Sequence, residues 1–520
     1  MFGDVVVNGA EALLRTGAAA GIEYCFCNPG STEMELLVAF DAIAELRPVL
    51  GLHENVCTGM ADGYGRMADR PAFTLMHQGA GLSNGSANLH NARKAPSPIV
   101  NLVGKNAERD PDLTPLAADV LALARPVSHW CKVASSSQTV AADTAEAIAT
   151  ARQAPGQVAT LILPANAQSG SCAGPVEPLV VPPPRSVDGG VVDRVARVVT
   201  EHKAAVALVL HASALNPRGL DAAGRIAAVT GCTLLAESIP RRWERGAGLP
   251  AVRMIPCLVP SAALEALKTF RSLILVGATR YQPYFLLEDT PAPLIPSGCD
   301  VVELASAGED IVGALEALAD ALDAPRGAAI RQQAGRPGVP TGTLTASAIN
   351  AVVGALLPEG AIVVQTSTSG ARDFLPLTQG CPPHSLLFNT GASIGWGMPA
   401  AAGAALACPD RRVISLAADG GDVLSIQALW TQAREGLNVT TIVFCNREYK
   451  ILRNEIERLT KDPGPRARSL LSLENPAMDF VLLARGMGVP ASRAETAESL
   501  HEALGRALRE PGPHLIEAVI

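Results

Sequence analysis

Arg411-Arg412-Val413-Ile414-Ser415-Leu416-Ala417-Ala418-Asp419-Gly420-Gly421, followed after one amphipathic stretch by Val439-Thr440-Thr441-Ile442-Val443-Phe444-Cys445-Asn446, decides how this 520-residue chain folds. The apolar run at 411–416 predicts a strand, the glycines a tight turn, and residues 423–435 a helix whose free N–H groups face that turn. Such a turn is a place to hold a phosphate. A second strand at 439–444, returning parallel, delivers Asn446 beside Asp419. One carboxylate and one amide oxygen at adjacent strand ends, next to a phosphate, suit Mg²⁺. Asp422 fits less well, because an acid near a phosphate opposes its binding unless it faces away.

The same alternation runs through the rest of the chain. Helices are predicted at 5–20, 32–46, 55–68 and 83–93, and strands at 23–27, 49–52, 72–77 and 99–103. Alternating strand and helix implies right-handed βαβ units and a parallel sheet covered on both faces. The proline-rich run from Pro175 to Pro184 breaks the pattern and reads as a linker or an extended crossing segment, and Arg331-Gln332-Gln333-Ala334-Gly335-Arg336-Pro337-Gly338 as a second exposed boundary. The expected fold class is α/β, with three doubly wound domains of mainly parallel sheets at 1–172, 188–330 and 340–520.

Composition excludes several classes. A formal net charge of −8, with a pI near 5.7 and no basic stripe, gives nucleic-acid binding no support. Eleven cysteines are scattered without a C-x-x-C pair, which reads as reduced thiols, with Cys25 and Cys27 in the core. No basic-then-apolar leader appears, and no apolar stretch reaches the roughly 20 residues of a membrane helix. The expectation is a soluble cytoplasmic protein without membrane partners.

Local readings of the candidate residues come first. Glu54 follows a strand and opens a helix, where a carboxylate complements the positive helix end by about 0.3–1 kcal/mol. His77 ends a strand in Met76-His77-Gln78-Gly79-Ala80-Gly81, at the sheet edge where open α/β folds place ligands. In Asn28-Pro29-Gly30-Ser31, Ser31 or Thr32 reads as a helix cap, with Glu33 and Glu35 as first-turn acids. Thr366-Ser367-Thr368-Ser369 follows a strand as a polar turn.

Taken together, these motifs resemble the thiamine diphosphate enzymes, over nearly the whole chain. That family carries Gly-Asp-Gly, then 25 to 30 residues, then Asn-Asn, and binds its metal with the Asp, the second Asn and a carbonyl two residues later. Asp419, Asn446 and the carbonyl of Glu448 occupy those positions, with Gly420, Gly421 and Tyr449 joining the cofactor set. Ala418 and Cys445 replace the usual first Gly and first Asn. The resemblance gives the three domains pyrimidine-binding, middle and diphosphate-binding roles. It makes Glu54, with Ala61-Asp62-Gly63-Tyr64-Gly65-Arg66 behind it, the donor to the cofactor's pyrimidine that activates the thiazolium carbon. Thr366 and Ser367 then hold diphosphate oxygens. Ile394 lies beneath the cofactor and bends it, and the carbonyl of Ala392 accepts from its amine.

The runs at His77 and Ser31 resemble benzoylformate decarboxylases, which implies a proton-handling His77 and a Ser31 that holds the substrate carboxylate. Where those enzymes carry a second His after a Val-Gly-Ala strand end, Gln282 stands here, able to orient but not to transfer a proton. The implied function is non-oxidative decarboxylation of a 2-oxo acid with thiamine diphosphate and Mg²⁺, ending in an aldehyde or a carboligation product. Alternatives are an acetolactate-synthase-like carboligase, a 2-hydroxyacyl-CoA lyase, which the absence of a basic C-terminal lid disfavours, and a cofactor-binding homologue without turnover. An FAD site is not evident. The resemblance further implies a homodimer or homotetramer, with Glu54 of one subunit meeting the diphosphate held by another. Lys450 and Arg453 read either as solvated charges or as contacts for an acidic substrate. The loops at 450–463 and 280–288 would set substrate size.

Overall fold

The computed structural model describes residues 7–107, 115–256, 258–284 and 290–520. These residues divide into two compact units. The first comprises residues up to 181 together with 337–377 and 389–520, and the second comprises 182–336 together with 378–388.

The first unit holds two parallel arrays. In one, strands run in the order Arg47–Leu50, Tyr24–Asn28, Ala72–His77, Ile99–Lys105, Val158–Pro164, Trp130–Val133. In the other the order is Ile362–Gln365, Val413–Ala418, Val439–Cys445, His514–Val519, Ala491–Ala494. Both arrays are covered by helices, so their central strands read as apolar runs, as in Val158–Pro164, where every residue is buried. Each fully buried Val, Leu or Phe contributes about 1.5–3 kcal/mol. The polar exceptions are paired. Thr74 donates to Asn101 at 2.8 Å, and Asn101 to Thr160 at 3.1 Å, across three neighbouring strands.

The second unit carries five parallel strands, Arg253–Met254, Thr233–Ala236, Val206–Leu210, Ser272–Val276 and Asp300–Ala305, in that spatial order. It also holds the antiparallel pair of Trp243–Arg245 with His384–Phe388. The chain is α/β throughout, and no helix among the described residues is long and apolar enough to cross a membrane.

Several element bounds differ from the sequence expectation. The first helix begins at Gly9, because Asn8 caps it by accepting from the Glu11 amide at 2.9 Å; residues 5 and 6 lie outside the described set. The helix expected at 32–46 is a 3₁₀ turn, Ser31–Glu33, followed by Met34–Phe40, and turns at Asp41, Ala42 and Ile43 end it. Expected at 83–93, the next helix starts at Gln78, directly after His77, and runs to Lys94. Its glycine-rich first turns pack inward rather than forming a loop. The helix expected at 423–435 is split into Asp419–Asp422, a 3₁₀ turn Val423–Ser425, and Ala428–Arg434. The cause is Asp422, whose carboxylate accepts from the Ala418 amide at 2.8 Å and closes a turn four residues early.

Candidate active site

Strand register sets the first cluster. Ala418 pairs with Phe444 on adjacent parallel strands, so Asp419 and Asn446 leave the sheet side by side. Asp419 accepts from the Gly420 amide at 2.8 Å and the Arg447 amide at 2.6 Å, and Asn446 accepts from the Glu448 amide at 3.0 Å. Burial raises the Asp419 carboxyl above its usual range, while the backbone donors at Arg447, Gly420 and Asn446 pull it down. Arg447 itself sits at φ 56°, a left-handed backbone that lets its amide point at Asp419. Tyr449 lies against Gly420, where an added Cβ would meet its ring at 2.7 Å. Lys450 and Arg453 both pair with Glu448, with their side chains still 46% and 37% exposed.

Asp422 faces away from the turn. It is buried and accepts from the Thr366 hydroxyl at 2.6 Å, the Ala418 amide at 2.8 Å and the Gly397 amide at 3.1 Å. Burial raises its carboxyl too, against those donors. Thr366 thereby braces the turn, with its amide and that of Ser367 both donating to the Leu416 carbonyl at 3.0 Å. Of this pair, the Ser367 hydroxyl is the one without a bond among the described residues, and Ser367 is buried.

The loop 389–397 forms the second cluster. Ala392 holds φ 64°, and Ile394 stands 49% exposed with its side chain over Gly421, where an added Cβ would meet it at 3.7 Å. Two asparagines tie this loop to the N-terminal array, and a third ties the array to Ser425 in the 3₁₀ turn 423–425. Asn88 donates to the Gly395 carbonyl at 3.2 Å, Asn91 to the Ser393 carbonyl at 2.9 Å, and Asn55 to Ser425 at 3.1 Å.

Asn55 is the second residue of the helix Glu54–Ala68, so these bonds bring the start of the Glu54 helix to the Ile394 loop. The Glu54 carboxylate accepts from Asn84 at 3.0 Å. Below it, Asp62 is fully buried, accepting from Arg66 at 2.8 and 2.6 Å and from the Trp396 indole at 2.6 Å, with Ser97 also bonded to it. The Glu54 helix and the helix Gly397–Ala407 touch backbone to backbone. A Cβ at Gly59 would meet the Pro399 side chain at 2.6 Å, and one at Gly63 or Gly403 would overlap the facing main chain.

The third cluster is a corner of the N-terminal array. His77 lies with Nδ1 3.1 Å from Glu33 Oε2 and 3.1 Å from the Thr32 hydroxyl. The predicted cap is not made by Ser31 or Thr32. Gly30 is the capping residue and Glu33 reaches back to its amide at 2.7 Å, leaving Ser31 exposed beside His77's corner. Gln282 belongs to the second unit, exposed next to Tyr281, whose hydroxyl bonds Ser238 at 2.6 Å. Residues 285–288 of the expected specificity loop lie outside the described set.

Residues 7–123 match the N-terminal TPP binding domain of thiamine pyrophosphate enzymes, and residues 367–518 match the C-terminal TPP binding domain. The chain is 44% identical, over 99% of both lengths, to the Mycobacterium tuberculosis (strain ATCC 25618 / H37Rv) protein named "Putative acetolactate synthase large subunit IlvX". The chain belongs to the thiamine pyrophosphate enzyme family. Among its relatives is a benzoylformate decarboxylase of Pseudomonas aeruginosa, 30% identical over 96% of each chain. A solved thiamine diphosphate-dependent 4-hydroxybenzoylformate decarboxylase of Rhodococcus jostii RHA1 matches with a TM-score of 0.86 at 25% identity, covering 98% of both chains.

As a thiamine pyrophosphate enzyme, the protein carries a set of asparagines that sequence reasoning passed over and a glutamate, Glu33, that it read only as a first-turn acid. Asn84, Asn88 and Asn91 fall at helical spacing on one stripe of a glycine-rich helix, a signal that was available. Glu33 gave no such signal, because its partner is 44 residues away.

Proposed function

We propose that the protein is a thiamine diphosphate- and Mg²⁺-dependent enzyme that decarboxylates a 2-oxo acid without oxidation, releasing an aldehyde or joining the remaining fragment to a second carbonyl. The observation that carries this reading is the convergence in one unit of the Asp419–Asn446 oxygen pair, the exposed Ile394 over Gly421 and the start of the Glu54 helix.

The donor set fits the implied metal. Asp419, Asn446 and the Glu448 carbonyl are hard oxygens, three of the six that Mg²⁺ takes, leaving room for diphosphate oxygens and water. A cation beside the buried Asp419 carboxylate would offset the cost of burying its charge. The cradle fits the cofactor too, since Asp422 is turned inward and a Cβ built on Gly421 would meet no atom closer than the Ile394 side chain at 3.7 Å. Thiamine diphosphate, once bound, supplies a carbon nucleophile that adds to a ketone and takes up the electrons released with CO₂.

This chain's residues do the rest. Glu54 holds a proton at the pyrimidine end, with Asn84 fixing one carboxylate oxygen. Ile394 supports the cofactor from below and excludes water there. His77 moves the proton that product formation requires, since Gln282 cannot. Ser31, exposed and uncommitted as a cap, holds the substrate carboxylate.

Calorimetric titration with thiamine diphosphate and Mg²⁺, followed by a 2-oxo acid panel assayed for CO₂ and product, tests the reading. Neither CO₂ nor a ligated product from any acid would overturn it. The 44% identity to the Mycobacterium tuberculosis relative favours a second reading, an acetolactate-forming carboligase. Acetolactate from pyruvate as the main product would select it. The proposed assembly is a homodimer or homotetramer with sites shared between subunits.

A further inference from the structure

Glu33 is fully buried, yet its carboxylate is surrounded by donors. Oε2 accepts from the Gly30 amide at 2.7 Å, and Oε1 accepts from the Thr32 hydroxyl. Both oxygens also face His77 Nδ1, at 3.1 and 3.3 Å. The Thr32 oxygen lies 3.1 Å from the same nitrogen and has already given its single proton to Glu33, so it turns a lone pair to the ring. Three oxygens with lone pairs therefore converge on Nδ1, and only an N–H there satisfies them.

Two missing side chains make room for this. Gly104 pairs with His77 on the neighbouring strand, and a Cβ at Gly104 would overlap the Glu33 carboxylate. At Gly30 a Cβ would overlap the imidazole. The carboxylate and the ring are fitted to one another through positions stripped to hydrogen.

We infer that Glu33 is a positioning residue that locks the Nδ1–H form of His77, so that Nε2 alone gives and takes the proton in the reaction. The inference rests on the proton-handling role read for His77 above. When Nε2 accepts a proton the ring becomes an imidazolium with the Glu33 carboxylate at its other end; when Nε2 gives it up, the neutral Nδ1–H ring returns.

Glu33→Gln is the deciding variant, because it keeps the shape and changes the protons. To satisfy the Gly30 amide the new side chain turns its oxygen there, and its NH₂ faces Nδ1, which must then accept. The ring switches to Nε2–H. In ¹⁵N-histidine-labelled apoprotein, with the signal assigned by its loss in His77→Asn, the wild type is expected as Nδ1–H and Glu33→Gln as Nε2–H. In the loaded enzyme, proton exchange at the thiazolium carbon stays at the wild-type rate, while turnover falls on the order of 10²- to 10⁴-fold, the scale of a wrong tautomer. An Nε2–H ring in the wild type, or unchanged tautomer and turnover in the variant, overturns the inference. Should Glu33→Gln not fold, the wild-type tautomer decides alone, alongside Thr32→Val, which is expected to keep Nδ1–H and lose less than tenfold in turnover. If no 2-oxo acid is turned over, the functional reading falls while the tautomer still decides this one.

Discussion

Each unit places a histidine at the end of a parallel strand with a glutamate beside it, and the two pairs are built differently. In the first unit, His77 Nδ1 lies 3.1 Å from Glu33, a fully buried carboxylate with two further donors, and two glycines clear its way. In the second, His211 Nδ1 is shut off from solvent and 3.3 Å from Glu237 without the alignment of a hydrogen bond, and Glu237 accepts instead from Thr279 at 3.0 Å. Burial lowers the His211 pKa, with Arg241 pushing the same way and Glu237 opposing. A strand-end histidine near an acid is therefore not in itself a proton relay. The shared contact is common, and what singles out His77 is the set of bonds that leaves its nitrogen one choice of proton.

The largest effects lie in the machinery His77 is read to serve. Glu54→Gln and Asp419→Ala are each expected to cut turnover by about 10³-fold or more, the second by removing metal-dependent cofactor binding. Mixing the two inactive proteins gives a sharper readout. If sites are shared between subunits, half-mixed dimers each regain one intact site and about a quarter of wild-type activity returns. If each chain completes its own site, as the in-chain bond from Asn55 to Ser425 would allow, none returns.

His77→Asn comes next, with turnover down about 10²- to 10⁴-fold and proton exchange at the thiazolium carbon intact. Loss of exchange in that variant would erase the distinction between activating the cofactor and finishing the product. Asp62→Ala should act on stability instead, costing about 3–5 kcal/mol in denaturant unfolding because it removes the carboxylate that balances the buried Arg66 charge.

The smallest expected effect belongs to the second unit. A lowered His211 pKa means the folded state binds fewer protons than the unfolded one. The stability it contributes is complete above the unfolded value near 6.5 and is lost as pH falls through that value toward the folded one. His211→Asn should flatten the pH dependence of the unfolding midpoint below about pH 6.5 and leave turnover within a few-fold. A large loss of turnover would mean the two histidines are closer in purpose than their geometry suggests.

Sequence made some of this legible and hid the rest for a physical reason. Asp419, Asn446 and Glu54 announce themselves because each sits where a strand hands over to a helix, a local pattern. The Asp422 carboxylate looked like an obstacle to anion binding because nothing in 418–423 reveals that the Gly397 and Thr366 donors arrive from elsewhere. Glu33 was absorbed by a correct but incomplete local reading. It does reach back to the Gly30 amide as a first-turn acid, yet its other lone pairs meet a residue from a different strand. Helix bounds failed where side chains rather than propensity close the first turn, as at Asn8 and Asp422.

Gly63 and Gly403 let the Glu54 helix and the helix Gly397–Ala407 meet main chain to main chain. A joint of that kind has no soft side chains to compress, so it behaves as a machined spacer rather than a cushion. Any residue larger than glycine there would act as a wedge, tilting Glu54 away from the Ile394 loop, whereas Ile394 and Leu424, both about half exposed, can be varied without loosening it. For anyone reshaping the reaction, the tolerance of this enzyme lies in the lining and its accuracy in the hinge pin.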